Sequence, residues 1–310
     1  MLNFQSVTLR QKERLHVYFS AYGEGSCQHS FAASFCLLSK YGDRFAEKDG
    51  FCFIRRDGRC TAQENIYLFP LGDRKDKDDV RKAVERVLED GHRQGKTVCF
   101  ESITEGAKEL LEELYPDEFE IREERDLSEY FFGREKLVSL SGGELRTRRK
   151  EVRAFFREYG ERCVIEPIVP KYYERILELE LQWLSERMEP GEEAQLEAEY
   201  RSVQIAMEHF EELQLAGLVV FIDGEMKGFV YGTPLNDEVY DGMVEKGDLS
   251  VRHIYPVMNH EFAKRCCEGY RWLNWEEDLG VEGLRRMKLG YGPDHLLKKY
   301  IAKERTTGHE

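Results

Sequence analysis

The order of predicted elements, which is the same in both halves of the chain, most restricts the possible folds. In each half the apolar residues predict a strand, two helices, further strands, a helix, a strand and a helix, and in the first half a last strand follows. The dipeptide Asp223-Gly224 separates the apolar runs 218–222 and 227–232, which predicts a two-residue hairpin turn. No short repeat of the solenoid type is present. The pattern predicts a duplicated α/β unit with mixed sheets, and we expect domains over residues 1–140 and 141–310.

The charge composition limits the partners of such a protein. The 310 residues include 60 Asp and Glu against 46 Lys and Arg, a formal net charge of -14. Non-specific binding to nucleic acids depends on clustered cations, so this balance excludes a protein that coats RNA or DNA. A local basic patch would still suit one defined end of an RNA.

Cysteine usage and hydropathy exclude further classes. The eight cysteines form no C-x-x-C pair and no finger-like pattern with histidine. Neither a zinc site nor a disulfide framework is predicted, and we expect no metal and no cofactor. No window approaches the ~20 apolar residues of a membrane span, and the first residues lack the apolar core of a signal peptide. We therefore expect a cytoplasmic protein.

The most basic stretch of the chain lies between the two halves, over residues 133–159. Residues 144–158 are predicted to form one long helix, with apolar residues on one side and arginines on another. Two interpretations stay open. The helix is either a solvated connection or a cationic ridge beside an active cleft.

A short acidic cluster precedes the last helix of the second half. Glu276, Glu277 and Asp278 follow an apolar strand end, and like charges so close are expected to raise the pKa of at least one carboxyl group. Such a group suits a general base or an ammonium anchor. Backbone N–H groups at the start of the helix, with Arg285 or Lys288, suit an oxyanion or a phosphate. The alternative is an ordinary complement to the helix dipole, worth under ~1 kcal/mol.

Several motifs of the second half resemble one bacterial family. They are Val244–Asp248 (VEKGD), Tyr255, Asn259–Ala263 (NHEFA), Asn274–Arg285 (NWEEDLGVEGLR) and Lys288–Pro293 (KLGYGP). From about residue 130 to about residue 300 the chain resembles uncharacterised bacterial proteins related to the C-terminal domain of phosphatidylglycerol lysyltransferase. Trp275 departs from the family pattern, in which Arg is expected. Further departures, from the more usual Lys, Lys, Asn and Asn, are Gly143, Glu144, Lys150 and Arg153.

The resemblance implies two GNAT-like acyltransferase domains in tandem. Enzymes of this arrangement carry an aminoacyl group from tRNA to an amine or hydroxyl of a lipid or peptidoglycan. The implied partners are therefore an aminoacyl-tRNA donor and a small-molecule, lipid or peptide acceptor, with peripheral membrane contact if the acceptor is a lipid. The expected catalytic residues are Glu276, Glu277, Asp278 and Lys246. The expected substrate-binding residues are Glu245, Tyr255, Asn259, Asn274, Gly280, Gly283, Arg285, Lys288 and Tyr291. The expected RNA-binding residues, on the basic helix, are Arg146, Arg148, Arg149 and Arg153.

An acyl-CoA-dependent GNAT N-acyltransferase is the main alternative. Such an enzyme favours an R/Q-x-x-G-x-G/A loop, whose backbone N–H groups hold the pyrophosphate. The corresponding turn here, Glu277–Gly283, reads EDLGVEG and places acidic residues where they would repel a phosphate. The sequence therefore favours an aminoacyl-tRNA donor over coenzyme A. A GNAT-fold binding or regulatory protein without catalysis is the third hypothesis.

Overall fold

The computed structural model describes residues 1–186 and 193–305, and it divides into two compact units. The first unit comprises residues 1–129 with the C-terminal segment that begins at Leu297, and the second comprises residues 130–296. The elements of the first unit are β1 (Gln5–Ser6), α1 (Lys12–Tyr22), α2 (Phe31–Cys36), α3 (Leu38–Tyr41), β2 (Asp43–Lys48), β3 (Phe51–Arg56), β4 (Glu64–Tyr67), α4 (Lys77–Arg93), β5 (Thr97–Ile103), α5 (Glu105–Leu114), β6 (Phe119–Glu123) and β14 (Tyr300–Glu304).

The first unit has one mixed sheet with the strand order β1-β2-β3-β4-β5-β14-β6. Strands β4 and β5 are parallel, because α4 connects them across one face of the sheet. The apolar face of α4 is buried in the core of this unit, where Val80, Val84 and Val87 are at most 1% exposed. Helical periodicity and burial therefore agree for this helix.

The second unit has a mixed sheet of the same kind. Its elements are β7 (Glu129–Gly133), α6 (Arg134–Ser139), α7 (Arg146–Tyr159), β8 (Cys163–Pro167), α8 (Tyr173–Ser185), α9 (Glu193–Glu208), β9 (Ala216–Ile222), β10 (Glu225–Pro234), β11 (Val239–Gly247), α10 (Ile254–Arg265), β12 (Trp272–Asn274), α11 (Glu282–Leu289) and β13 (His295–Leu297). The strand order is β13-β7-β12-β11-β10-β9-β8, with β11 and β12 parallel. The predicted α/β class with mixed sheets is therefore confirmed.

The hairpin predicted from Asp223-Gly224 is confirmed. Ile222 pairs with Glu225, and the two turn residues have φ of 53° and 80°. Both angles lie in the left-handed region, which the two-residue turns that match strand twist require. An Asp-Gly pair meets that requirement at little cost, since Gly has no Cβ and Asp tolerates this region.

The units to which two strands belong differ from those that the predicted domain boundary at residue 140 implies. Strand β14 lies between β5 and β6 in the sheet of the first unit, whereas β7 lies between β12 and β13 in the sheet of the second. Residues 130–140 therefore belong to the second unit and residues 297–304 to the first. Local periodicity does not depend on which distant strands pair with each other, so the residue pattern could not predict this pairing.

Helices cover both faces of the sheet in the second unit. Helices α6, α7 and α10 bury their apolar residues against β9 and β10 in one core cluster. Helix α8 packs against β10 and β11. Strand β11 thus has α10 near one of its faces and α8 near the other, which determines the surroundings of its side chains.

Candidate active site

The turn between β12 and α11 is built around the carboxylate of Asp278, which is fully buried. Its oxygens accept hydrogen bonds from Arg285 Nη2 (2.7 Å) and Nε (2.9 Å), from the Gly280 N–H (2.9 Å) and from the Tyr130 hydroxyl (2.5 Å). Burial opposes ionisation, but the donors from Arg285, Tyr130 and Gly280 together lower the pKa of Asp278 to about 2. The rise in pKa that we predicted for at least one carboxyl group of this cluster does not occur at Asp278, because its donors stabilise the charged form.

The groups predicted to bind a phosphate or an oxyanion in this turn have partners within the chain. The Gly280 N–H and the Arg285 guanidinium both donate to Asp278. Lys288, which is buried, donates to the carbonyl oxygens of Trp275 and Glu277, each at 2.5 Å. Arg285 and Lys288 therefore stabilise the turn. The Asp278 carboxylate accepts the hydrogen bonds that were predicted for an external anion.

Two further predicted residues shape the end of β12. The buried Asn274 accepts a hydrogen bond at Oδ1 from the Glu276 N–H (2.8 Å). Glu276 has a φ of 51°, and Tyr130 bonds through its backbone to both Trp275 and Glu276. This is a β-bulge, in which two residues of one strand oppose one of the next. Glu276 and Glu277 are half-buried, and Gly283 is exposed.

Strand β11 also contains a bulge, and it determines which side chains face which helix. Tyr231 of β10 pairs with Val244, but Thr233 pairs with Asp241, so β11 has one residue more than β10. An extra residue exchanges the faces to which the following side chains point. Among the described residues, β12 pairs with β11 only from Val239 to Asp241, which leaves the edge of β11 open beyond that point.

Glu245 lies on the α10 side of β11 with its carboxyl group buried. Its Oε2 is 3.4 Å from Asn259 Nδ2, which is itself 3.5 Å from the Tyr291 hydroxyl. No described residue donates a hydrogen bond to Oε1. Burial raises the pKa of Glu245 to about 8, although the Asn259 amide and the Lys288 charge act in the opposite direction. Glu245 is therefore able to exchange a proton near neutral pH.

Lys246 lies on the opposite side of β11, towards α8. Its ammonium group forms an ion pair with Glu199, lies 3.6 Å from Glu180 Oε1 and lies 3.5 Å from the centroid of the Trp183 ring. The Tyr255 hydroxyl is 3.2 Å from Trp183 Nε1. The side chains of Glu245 and Lys246 face different helices, because neighbouring residues of a strand point to opposite faces.

The four arginines predicted to bind RNA fall into two pairs. Arg148 forms an ion pair with Glu151 (2.8 Å) and lies over the ring of Tyr291, 4.6 Å from its centroid. Arg149 donates to the carbonyl oxygens of Leu140 and Gly142. The other two are exposed and share one face of α7 with two further cations. That exposed stripe, which we call the cationic stripe, consists of Arg146, Lys150, Arg153 and Arg157.

Several residues around the candidate site were absent from the sequence prediction. They are Tyr130, Glu180, Trp183 and Glu199, whereas Lys150 and Arg157 were predicted only as members of the basic helix. For Glu180 a signal existed: it is four residues from Ile176 and from Leu184, which places it on the buried face of an amphipathic helix. A carboxylate on such a face needs a partner or a function.

Neither a metal site nor a membrane span is found among the residues that the structure describes. In that part of the chain no group of three or more His, Cys, Asp or Glu side chains could hold a metal ion. Within the same residues no helix combines the length and the hydropathy that crossing a membrane requires.

Comparison with known structures identifies the fold. A conserved protein of unknown function from Bacteroides thetaiotaomicron matches with a TM-score of 0.90 and 28% identity, over 98% of this chain and 100% of that one. L-PGS from Bacillus licheniformis matches with a TM-score of 0.67 and 14% identity, over 98% and 94% of the chains. A tandem GNAT protein from the clavulanic acid pathway has a TM-score of 0.53 and 12% identity, over 99% and 100%. The tandem GNAT-like fold predicted from the sequence is thereby confirmed.

The family assignment rests on the sequence as well as the fold. No curated protein matches the sequence. The family model described as phosphatidylglycerol lysyltransferase, C-terminal, matches residues 19–303, and this chain therefore belongs to that family.

Proposed function

We propose that this chain is an acyltransferase that moves an aminoacyl group from an aminoacyl-tRNA to an amine or hydroxyl acceptor, with the chemistry in the second unit. The observation that carries the proposal is the cationic stripe, Arg146, Lys150, Arg153 and Arg157, on a protein with a net charge of -14. Exposed cations on one face of an acidic protein suit the binding of a polyanion at that face alone.

The geometry of the stripe suits a nucleic acid backbone. Its members are four, three and four residues apart, so they point the same way along α7. From Arg146 to Arg157 the helix rises about 16 Å, enough for several phosphates to be neutralised along its length. Phe156, which is 40% exposed, adjoins two of the cations and offers a ring on which a base could stack.

The turn around Asp278 supports RNA over coenzyme A as the source of the acyl group. A pyrophosphate would need the Gly280 N–H and the Arg285 guanidinium, which both donate to the Asp278 carboxylate. An approaching phosphate would therefore meet a buried negative charge instead of free donors.

The proposed reaction uses Glu245 as the proton acceptor. The nitrogen or oxygen of the acceptor attacks the ester carbonyl of the donor, so that a C–N or C–O bond forms and the ester C–O bond of the ribose breaks. Glu245 takes the proton from the attacking group and returns it to the departing ribose oxygen. A backbone N–H on the open edge of β11 is the donor that would stabilise the oxyanion between these steps.

The RNA assignment is tested by replacing cations of the stripe. Arg153→Ala with Arg157→Ala should weaken the binding of aminoacyl-tRNA and reduce the slope of log affinity against log salt by about 1 for each phosphate that is no longer neutralised. Fluorescence anisotropy between about 50 and 200 mM salt measures both quantities. Lys171→Ala with Lys264→Ala, two exposed lysines of the same unit, should leave the slope unchanged.

Two results would contradict the proposed donor. One is an unchanged affinity and slope after all four cations of the stripe have been replaced by Ala. The other is saturable binding of acetyl-CoA by calorimetry, which would favour an acyl-CoA-dependent enzyme. Folding of every variant is checked by its thermal melting curve.

A further inference from the structure

The α8 side of β11 already contains an ammonium group in an aromatic and acidic environment. The Lys246 ammonium lies over the indole ring of Trp183, 3.5 Å from its centroid, and pairs with the carboxylate of Glu199. Lys246 is 6% exposed, whereas the side chain of Glu199 is 38% exposed. An indole face beside carboxylates is the environment in which proteins bind organic ammonium ions.

The charges in this cluster do not balance. It contains two carboxylates, Glu180 and Glu199, but one ammonium group, that of Lys246. Glu180 is fully buried, and no described residue donates a hydrogen bond to either of its oxygens. Lys246 Nζ is 3.6 Å from Oε1, close enough for an ion pair but too distant for a hydrogen bond. Burying a carboxylate without donors is costly, so Glu180 needs a proton or a second cation.

When no ligand is bound, a proton on the Glu180 carboxyl group neutralises its charge. Burial raises the pKa of Glu180 to about 7, in spite of the nearby Lys246 charge. The carboxyl group is therefore partly protonated near neutral pH and can ionise when a cation arrives.

We propose that Glu180, Glu199 and Trp183 form a binding site for a primary ammonium group of a substrate. Lys246 is the internal occupant of this site. The ligand ammonium pairs with Glu180 and replaces Lys246 over the indole ring. This inference rests on the proposed function, in which two substrates can carry such a group: the aminoacyl donor has an α-ammonium, and a diamine acceptor has an alkyl ammonium besides the amine that reacts at Glu245.

Two small probes distinguish these sources. L-Alaninamide carries the α-ammonium of an aminoacyl donor, n-butylamine carries the alkyl ammonium of an acceptor, and N-acetyl-L-alaninamide has no positive charge. The chain contains three tryptophans, so the indole N–H of Trp183 can be assigned in a ¹⁵N spectrum with Trp183→Phe. At about pH 7 both amines are largely protonated.

The expected result is a saturable shift of the Trp183 indole signal with an ammonium probe and none with the acetylated one. A stronger response to L-alaninamide identifies the donor as the ligand, and a stronger response to n-butylamine identifies the acceptor. The absence of a shift with both amines, in the wild type and in Lys246→Met, would overturn the proposal.

Two substitutions test the roles of the carboxylate and of the internal lysine. Glu180→Gln should weaken amine binding at least tenfold, whereas Glu178→Gln, an exposed position on the same helix, should not change it. Lys246→Met removes the competing ammonium and should tighten amine binding about tenfold, a gain that a merely structural ion pair would not produce. Equal affinity in wild type, Glu180→Gln and Lys246→Met contradicts the site. If Glu180→Gln does not fold, the Lys246→Met result decides.

These measurements use the full chain and need neither tRNA nor turnover. Amine binding without aminoacyl transfer would leave the ammonium site standing and remove the proposed function. Binding of aminoacyl-tRNA without any amine-dependent shift would do the reverse.

Discussion

The two units share an order of elements but differ in what lies at the ends of their parallel strands. Each contains a parallel pair, β4 with β5 and β11 with β12. The second strand of each pair ends near a residue with left-handed backbone, Ser102 (φ 56°) in the first unit and Glu276 (φ 51°) in the second. After β4 the chain continues with the buried apolar residues Leu68 and Phe69.

Strand β11 instead contains Glu245 near its end. The carboxyl group of this residue is buried, and no described residue donates to its Oε1 atom. The first unit thus has packed apolar residues after β4, whereas the second unit has a titratable group near the end of β11. A buried polar group without a donor is a mark of a functional site, whereas apolar packing is not.

One buried ion pair in the first unit is supported by hydrogen bonds. Lys299, on the segment that leads into β14, donates to Ser26 Oγ (2.6 Å) and lies 2.8 Å from Glu129 Oε1. Glu129 also accepts from the Ser26 hydroxyl (2.7 Å) and from the Cys27 N–H (3.0 Å). Both charged side chains are 0% exposed. This pair ties the C-terminal segment into the unit, whereas in the second unit both oxygens of Glu180 and the Oε1 atom of Glu245 have no donor among the described residues.

The largest expected effect is on transfer chemistry in the second unit. Glu245→Gln keeps the shape but removes the base, so the rate of aminoacyl transfer from labelled aminoacyl-tRNA to n-butylamine should fall about 10²- to 10⁴-fold. The ratio of the wild-type rate to the variant rate should rise with pH until Glu245 is ionised, near its pKa of about 8, because the ionisation of n-butylamine affects both proteins equally. The exposed Glu238→Gln is the control. A variant with the wild-type rate and pH profile would remove Glu245 from the mechanism.

A smaller effect, on stability, is expected in the first unit. Lys299→Met leaves Glu129 buried without its cation, and the free energy of unfolding should fall by about 3–5 kcal/mol. Lys298→Met changes a side chain that is 54% exposed, so it should change this quantity by less than about 0.5 kcal/mol. Urea denaturation measures both, and hydrogen exchange locates the loss. Equal stability of the two variants would show that the buried pair does not hold the C-terminal segment.

The smallest effect is expected at the turn of the second unit. Asp278→Asn loses charge-assisted hydrogen bonds from Arg285 and should lower the free energy of unfolding by about 2–3 kcal/mol at neutral pH. The folded pKa of about 2 lies below the ordinary 3.8, so the stability from Asp278 is present above 3.8 and is lost as the pH falls towards 2. The difference between variant and wild type should shrink over this range. Glu282→Gln, whose side chain is 85% exposed, is the control, and a difference independent of pH would contradict the ionised state of Asp278.

Much of the fold followed from local patterns. The Asp223-Gly224 turn depends on neighbours in sequence, so hydrophobic spacing and turn chemistry were enough to predict it. The pairing of β7 and β14 joins residues far apart in the chain, and no local rule indicates it. The predicted boundary at residue 140 therefore differs from the division of the structure.

The candidate site was predictable in its members more than in its arrangement. Glu245, Asn259 and Tyr291 were predicted from the family motifs and lie together on one side of β11. Their roles as substrate-binding residues stay predictions, as do the catalytic roles of Glu276 and Glu277.

The sequence by itself determined the class of fold, the family and the acidic turn before α11, because motifs and periodicity are local properties. Only the tertiary structure decided that Asp278 is held ionised by Arg285, and that Glu245 and Lys246 point to opposite helices. The physical reason is that burial and partners control the charge of a carboxyl group. The burial and the partners of a carboxyl group depend on packing between distant segments and on the extra residue in β11. The spacing of residues in the sequence does not predict either of these.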